Sequence, residues 1–363
     1  MRTARVIVAD SASDANMLYS VGIFVPDPFI YFEIAGKKHI VVSDLEFDRA
    51  KANASVDRVL PLSRYQKNGA RKLADVLPVV LREYKIGTVE VPMNFPVGLA
   101  KRLRRVRIKP DPFVPERETK TAGEIQKLSH ALRLAEAGMR AGINVIRMSD
   151  IRNGWLYWRK QKLTSEDVQG VINATIAGLG GIAAHTIVAG GNQGCDPHES
   201  GHGPLRAHQT IILDIFPRDS KTGYWGDITR TVVRGKASEK VKDIYATVAK
   251  AQEIAFEKLR DGVNGHDVHR AICELFNRLG FKTGRKNGRM QGFFHGTGHG
   301  LGLEIHESPR VSAVDATMKA GFVVTVEPGL YYPGIGGVRL EDVAVITKTG
   351  ARNLTEFPKF LEV

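Results

Sequence analysis

Cysteine is scarce in this chain of 363 residues, which contains only Cys195 and Cys273. Two cysteines cannot form a disulfide framework, so we expect a reducing, cytoplasmic environment. Long apolar runs are also missing. None approaches the roughly 18–20 residues that a membrane-spanning helix needs, which argues against a membrane protein. The stretch MRTARVIVAD has no sustained apolar segment followed by a cleavage site, so we expect no secretion signal.

The chain has fewer acidic than basic residues. The 52 Lys and Arg residues outnumber the 39 Asp and Glu residues, which gives a net charge of +13 and a pI near 9.7. Such a balance favours phosphate-rich partners. The densest basic cluster, KRLRRVR at 101–107, is typical of a solvated helix face. Because no zinc-finger or RNA-binding aromatic motif accompanies this cluster, nucleic-acid binding is a minor hypothesis.

The rest of the composition is that of an ordinary globular protein. Hydrophobic residues make up 43% and charged residues 25%, which excludes wholesale disorder, collagen and coiled coil. The length favours two domains. Residues 1–117 alternate short apolar runs with helical stretches and predict a smaller α/β domain. Pro110, Pro112 and Pro115 crowd the boundary, and residues 118–363 form the second domain.

Periodicity and turn residues predict the main elements. In the first domain we expect strands at 29–34 and 39–42 joined by a turn at 36–38, a helix at 72–84 interrupted by Pro78, and a strand at 88–91. In the second we expect helices at 122–146, 240–259 and 267–279, and one capped by Thr164 or Ser165. With the β-branched strands near the C-terminus, these predict an α+β architecture in which helices cover one face of a curved antiparallel sheet.

Two aspartates stand beside apolar strands. Asp214 interrupts the strand TIILDIF, and Asp227 precedes the strand ITRTVV. A hairpin between the strands brings these two carboxylates together. Like charges facing each other in an apolar sheet are costly unless a cation lies between them. The alternative is that each buried aspartate forms a turn or an ion pair.

Three histidines lie within the glycine-rich string HGTGHGLGLEIHE, at His295, His299 and His306. Neutral imidazole binds transition metals and carries protons near neutral pH. Downstream, VEPG and GVRLED place Glu327, Arg339 and Glu341 in or beside apolar strands. Strand parity puts Val323, Thr325 and Glu327 on one face, and Arg339, Glu341 and Val343 on another. A structural Arg–Glu ion pair is the alternative interpretation.

Four carboxylates and one imidazole match the requirements of two divalent cations, because four negative charges balance two ions of charge 2+. This donor set is Asp214, Asp227, His299, Glu327 and Glu341. Oxygen ligands with a single nitrogen and no thiolate favour Mn, which we expect, or Co, Zn or Fe. Paired metal ions can generate hydroxide at neutral pH and polarise a carbonyl group.

The order Asp, Asp, His, Glu, Glu and the strings HGTGHGLGLEIHE, VEPG and GVRLED resemble the dinuclear metallopeptidases of the creatinase/aminopeptidase (pita-bread) fold. This family includes methionine aminopeptidase, aminopeptidase P, prolidase and creatinase. The resemblance covers about residue 117 to the C-terminus. The region before it resembles the smaller creatinase-like N-terminal domain, which accompanies the proline-directed members.

The resemblance implies a role for each site residue. Asp214 would chelate one metal, His299 and Glu327 the other, and Asp227 and Glu341 would bridge them. His198 and His306 would hold the substrate or its tetrahedral intermediate, and Glu327 would carry the proton. His295 would line the substrate pocket, and Arg339 would orient Glu341 or the substrate.

Some features depart from the family pattern or compete with it. Asp214 and Asp227 are 13 positions apart, a slightly longer spacing, and the loop 217–222 between them contains Asp219, which we assign to the loop. His202 is a rival for His198. Cys195 is not needed for the chemistry. The remaining histidines match nothing in the family and are read as structural or surface residues: His39, His130, His185, His208, His266 and His269.

The resulting hypothesis is a peptidase that hydrolyses the bond between an N-terminal residue and proline, either as an aminopeptidase or as a dipeptidase. A peptide with proline at the second position would be the substrate, and a homodimer is expected from the family. Two alternatives remain: a creatinase-like amidinohydrolase, and a non-catalytic binding protein on the same scaffold.

Overall fold

The structure is a computed structural model that describes residues 2–66 and 72–363. The chain forms two compact units, Met1–Arg117 and Glu118–Val363. In the described parts of the chain, no helix is both long and apolar enough to cross a membrane.

The first unit is built on a six-stranded mixed sheet with strand order β4-β3-β2-β1-β5-β6. Helices pack on both faces of this sheet and form two apolar clusters. Its elements are β1 (Arg2–Ala9), α1 (Ala15–Val21), β2 (Phe29–Ile34), β3 (Lys37–Val42), α2 (Asp44–Asn53), β4 (Arg58–Pro61), α3 (Leu73–Glu83), β5 (Ile86–Val91), α4 (Val97–Ala100) and β6 (Val106–Ile108).

Two local predictions in this unit need correction. The β2–β3 turn consists of Ala35 and Gly36, not residues 36–38, because both have positive φ (50° and 73°) as a two-residue type I′ hairpin requires. Pro78 lies inside α3 and does not interrupt it. The buried stripe Val76, Leu77, Val80 and Leu81 holds the helix against the sheet, which outweighs the backbone hydrogen bond that proline cannot donate.

The helices of the second unit begin at capping residues. Thr121 and Thr164 each accept a hydrogen bond from the backbone three residues on, and the acidic residue there bonds back. Of the two caps considered for the second of these helices, the structure has Thr164. The helices are α5 (Ala122–Arg147), α6 (Ser165–Gly178), α7 (Glu239–Lys258) and α8 (Gly265–Arg278), so the predicted helices at 122–146, 240–259 and 267–279 are confirmed to within two residues.

The strands of this unit form a three-stranded sheet, β11-β12-β14, and a five-stranded sheet, β18-β17-β19-β22-β23, with smaller ribbons beside them. They are β7 (Asp150–Arg152), β8 (Trp155–Trp158), β9 (Gln161–Lys162), β10 (Gly181–Ile182), β11 (Ile187–Gly190), β12 (Thr210–Ile215), β13 (Arg218–Asp219), β14 (Ile228–Val233), β15 (Gly284–Lys286), β16 (Arg289–Gln291), β17 (Gly298–Gly300), β18 (Glu307–Val311), β19 (Val323–Val326), β20 (Gly329–Tyr332), β21 (Gly336–Arg339), β22 (Asp342–Ile346) and β23 (Ala351–Asn353).

Helices cover these sheets from outside. α5 packs on β12 and β14, while α7 and α8 pack on the second sheet and the β20–β21 ribbon. Gly138 and Gly142 on α5 let α6 approach closely, because a Cβ at either position would meet the side chain of Ile172 at about 3 Å or less. Leu213 on β12 faces Gly142 of α5, so its neighbour Asp214 points to the other side of this sheet.

The prediction that Arg339 and Glu341 share one face of a strand is wrong, because these two residues do not belong to one strand. β21 ends at Arg339 and pairs with β20, whereas β22 begins at Asp342 and pairs with β19. Leu340 and Glu341 connect the two strands. The strand alternation therefore breaks between Arg339 and Glu341.

Candidate metal centre

A cavity of about 980 Å³ opens among the strands of the second unit. All nine residues to which the sequence assigns a site role line it. They are His198, Asp214, Asp227, His295, His299, His306, Glu327, Arg339 and Glu341.

The first two carboxylates come from the hairpin of β12 and β14. The strands pair antiparallel with Asp214 opposite Thr229, two residues beyond Asp227. Gly226 lets the chain pass close to α5, because a Cβ there would lie 2.3 Å from the carbonyl oxygen of Ala131. Asp227 is 4% exposed, and the hairpin thus delivers two carboxylates to the interior of the cavity.

His299 occupies the middle of the short strand β17. Its glycine neighbours are required, because a Cβ on Gly298 would lie 1.9 Å from the Thr325 carbonyl oxygen and one on Gly300 2.3 Å from the Ser308 carbonyl oxygen. The Nδ1–H of His299 donates to the Gly300 carbonyl at 3.1 Å. Nε2 therefore presents its lone pair to the cavity.

Glu327 and Glu341 each follow the end of a strand. One residue of helix α7 holds both of these chain segments by hydrogen bonds. Gln252 on α7 donates to the carbonyl oxygens of Val326 (2.8 Å) and Leu340 (3.2 Å), each one residue before a glutamate. Gln252 is 1% exposed, so both bonds are shielded from water. The hydroxyl of Thr229 donates to Glu341 Oε2 at 2.8 Å.

The acidic side chains repel one another electrostatically. Burial and the neighbouring carboxylates Glu341, Asp214 and Glu327 raise the pKa of Asp227 well above its usual range. Burial, with Glu327 and Asp214, does the same for the pKa of Glu341. Burial raises the pKa of Glu327 to about 7 and lowers the pKa of His299 to about 3. This arrangement of acidic groups is unfavourable unless protons or cations neutralise it.

The donor atoms fit divalent cations. Ligand atoms of Asp227, His299 and Glu341 lie within 4.8 Å of one another. The Nε2 lone pair of His299 faces Asp227 Oδ2 at 3.7 Å and Glu327 Oε1 at 3.5 Å, and only a proton or a cation between them satisfies both sides. Asp214 Oδ1 is buried and finds no hydrogen-bond partner in the described part of the chain. Each of the five predicted ligands thus offers a donor atom that a cation could complete.

Arg339 bonds to Asp214, not to a glutamate. Its Nη2 donates to Asp214 Oδ2 at 2.6 Å, and Nη1 donates to the hydroxyl oxygen of Tyr331 at 2.9 Å. The Tyr331 hydroxyl in turn donates to His295 Nε2 at 2.8 Å, because Nδ1 of that ring donates to the Gly296 carbonyl. Burial and Arg339 lower the pKa of His295 to about 3, which keeps the ring neutral. The chain Asp214–Arg339–Tyr331–His295 thus fixes one wall of the cavity.

The conformation of the loop 196–203 decides between the two candidate histidines, His198 and His202. His198 lines the cavity, whereas His202 lies outside the lining and contacts Glu199. Gln193 bonds to both the N–H and the carbonyl of His202, and Gln169 donates to the Ser200 carbonyl at 2.7 Å. Such bonds hold the loop to its neighbours and position His198 at the cavity.

His306 reaches the predicted metal ligands from the segment after β17. Its ring meets the ring of His299 edge-on, with centroids 4.3 Å apart. Burial, Arg310 and His198 lower the pKa of His306, while Asp214 opposes the shift. His306, His198 and the acidic cluster line the same cavity.

The sequence analysis assigned no site role to the lining residues His185 and Arg310, or to Tyr331, which bonds to the lining residues His295 and Arg339. His185 was assigned to the structural or surface histidines, yet it lines the cavity just before β11, with a positive φ of 54°. Arg310 lies on β18 opposite His299. Tyr331 could have been noticed because it follows VEPG by two residues, but only the folded ribbon β20–β21 brings it to Arg339.

Other polar residues lie outside this site. Asp219 is buried in the loop ribbon, where it accepts from the Thr222 hydroxyl and faces His130. His269 on α8 bonds to the buried Thr297 hydroxyl at 2.9 Å. Burial raises the pKa of the Cys195 thiol to about 11, so it is protonated at neutral pH and a poor nucleophile.

The pattern of Metallopeptidase family M24 matches residues 126–348. The chain belongs to this family. It is 28% identical over 323 residues to the Xaa-Pro dipeptidase of Pyrococcus furiosus, which covers 87% of this chain and 84% of the relative. The family resemblance seen in the sequence is thereby confirmed.

Two solved structures show the same fold. The X-Pro aminopeptidase of Thermotoga maritima superposes with a TM-score of 0.83 at 25% identity, covering 100% of this chain and 98% of that one. Prolidase from Pyrococcus furiosus gives 0.79 at 25% identity, covering 98% and 97%. The predicted α+β pita-bread fold is confirmed.

Proposed function

We propose that this metallopeptidase hydrolyses the peptide bond between an N-terminal residue and a following proline. The cluster of five buried or half-buried donor side chains at one cavity carries the proposal, because without cations their mutual repulsion is unfavourable. The relatives whose names specify Xaa-Pro dipeptide or X-Pro substrates support the choice of bond.

The five donors would hold two divalent ions, with Asp214 on one, His299 and Glu327 on the other, and Asp227 and Glu341 shared. Bound ions of this kind supply a water molecule of lowered pKa and polarise a carbonyl oxygen. We propose Mn, with Co, Zn or Fe as alternatives, because the donors are oxygen-rich and contain no thiolate.

The surrounding residues bind and orient the substrate in this proposal. His198 and His306 donate hydrogen bonds to the oxygen on which negative charge develops. Glu327 would take a proton from the attacking water and pass it to the prolyl nitrogen as the C–N bond breaks. Arg339 holds Asp214 in place through its 2.6 Å bond, and His295 lines the substrate pocket.

The oligomeric state and the compartment are proposed on other grounds. A homodimer is the common state of the resembling family. The cytoplasm fits the two free cysteines, Cys195 and Cys273.

The test compares hydrolysis of Xaa-Pro dipeptides with that of longer Xaa-Pro peptides by the Mn-loaded chain. We expect two ions per chain by elemental analysis, and cleavage of at least one substrate class. Asp227→Ala and Glu341→Ala should lose metal and activity together, while Asp219→Asn, a matched acidic residue outside the cavity, keeps both. Full metal content and full hydrolysis in either alanine variant would refute the site.

The same assay separates the two alternatives. Hydrolysis of creatine by metal-free protein would favour the creatinase-like reading. An intact two-ion site with no hydrolysis of any Xaa-Pro peptide would favour a binding protein. The complete set of ligands speaks against both.

A further inference from the structure

Basic residues are concentrated in a second region of the chain besides residues 101–107. The small antiparallel sheet β7-β8-β9 carries two of the three tryptophans of the chain within four residues, Trp155 and Trp158. Neither the metal centre nor the proposed peptidase reaction uses this sheet. It therefore needs an explanation of its own.

Register defines its outward face. Arg152 and Arg206 lie opposite Trp155 on either side, and Lys162 lies opposite Tyr157. Directly opposed residues point to the same side of a sheet. Leu156, which alternates with Trp155 and Tyr157, is fully buried, so the face opposite to it is turned outward. We call the outward set Arg152, Trp155, Tyr157, Lys162 and Arg206 the Trp155 face.

Cations are stacked on the rings of this face. The guanidinium carbon of Arg206 lies 3.9 Å from the centre of the Trp155 ring, and Lys162 Nζ lies 4.6 Å from it. Arg152 lies 5.5 Å from the centre of the Tyr157 ring. Such contacts orient the cations and leave their outer sides available to a ligand.

The charge of the sheet is not neutralised locally. Arg159, Lys160, Lys162 and Arg206 are exposed and form no ion pair within the described residues 2–66 and 72–363. The one acidic residue of the sheet, Asp150, is already bonded to Arg152 at 2.7 Å. A partner with regularly spaced negative charges is complementary to this surface.

We propose that the Trp155 face binds single-stranded nucleic acid. Phosphates would meet the exposed cations, and bases would stack on the outer sides of the guanidinium planes that Trp155 and Tyr157 hold in place, as in sequence-tolerant recognition of single strands. A duplex hides the faces of its bases, so it could use only the charges. Half-buried rings covered by cations cannot insert into lipid, which disfavours a membrane surface. The basic composition pointed only to phosphate-rich partners in general, and the sequence did not show this face because Arg206 lies 51 positions after Trp155.

The test is binding of a fluorescent oligo(dT) 20-mer to the full chain at low salt, followed by anisotropy and by tryptophan fluorescence. The pair Lys162→Gln and Arg206→Gln should weaken binding at least ten-fold. It should also flatten the slope of log affinity against log salt by about 1.4, since each single-strand phosphate contact contributes about 0.7. Trp155→Leu, which keeps every charge, should weaken binding at least five-fold.

The matched control is Arg104→Gln with Arg105→Gln, which removes the same charge from exposed residues of the other basic cluster. It should change the affinity less than two-fold. Peptidase activity and circular dichroism check that each variant folds. Absence of binding by the unchanged chain, or equal weakening by both pairs, would overturn the proposal. So would tighter binding to phosphatidylserine vesicles than to the oligonucleotide with the same dependence on the variants.

Discussion

Replacing Glu327 by Gln should separate the repulsion among the buried carboxylates from their capacity to bind metal. Burial raises the pKa of Glu327 from 4.5 to about 7. A carboxyl group whose pKa is higher in the folded than in the unfolded chain destabilises the fold increasingly as the pH rises from 4.5 to 7, and fully above 7. The difference between these two values corresponds to about 3 kcal/mol at pH 8.

Gln keeps the shape of the side chain without the charge. In the presence of a chelator we therefore expect E327Q to be about 3 kcal/mol more stable than the unchanged chain at pH 8, and equally stable at pH 4. The measurement is urea unfolding followed by circular dichroism at both pH values. Glu257→Gln, which removes an exposed carboxylate from α7, should change stability by less than about 0.5 kcal/mol at either pH.

Added Mn at one hundred times its Kd should cancel most of this difference in stability. A ligand at one hundred times its Kd stabilises the folded chain by about 2.7 kcal/mol, and E327Q should gain much less because it has lost a donor. If E327Q were less stable than the unchanged chain at pH 8 in chelator, the proposed repulsion would be refuted. A gain that does not vary with pH would also contradict it.

Three further substitutions test the parts that support the site. Asp342→Asn breaks the buried pair with Arg230, whose atoms are 2.8 Å apart, and should lower the free energy of unfolding by about 3–5 kcal/mol in urea. Tyr331→Phe removes the hydroxyl between an arginine and a histidine, and should cost about 2 kcal/mol and reduce kcat/KM while metal content stays unchanged. Gln252→Leu removes one hydrogen bond from each of two buried carbonyls and should weaken Mn affinity measured by calorimetry.

Each of these three has a clear contrary outcome. Unchanged urea midpoints for Asp342→Asn would mean that the buried pair contributes no net stability. Loss of metal from Tyr331→Phe would assign the hydroxyl to the metal centre itself. Unchanged Mn affinity for Gln252→Leu would show that the two glutamates are held without the helix.

Much of the site could be predicted from the sequence because its residues stand in unusual local sequence patterns. Carboxylates inside apolar strands, such as Asp214, and histidines between glycines, such as His299, are unusual enough to attract attention. The helix at 122–146 followed from periodicity, and the helix after Thr164 followed from its capping residue. Pro78 shows the limit of such rules, because packing of a buried stripe overrode a local preference.

The amino-acid sequence by itself determined which side chains carry negative charge and metal-binding nitrogen, and these side chains led to the prediction of divalent cations at this cavity. Only the tertiary structure decided that Arg339 pairs with Asp214 through strands from different sheets, that His198 lies at the cavity in place of His202, and that Arg206 covers Trp155. The physical reason is that chemical identity is a property of each residue. Distances between residues far apart in the chain are instead set by the packing of all the elements together.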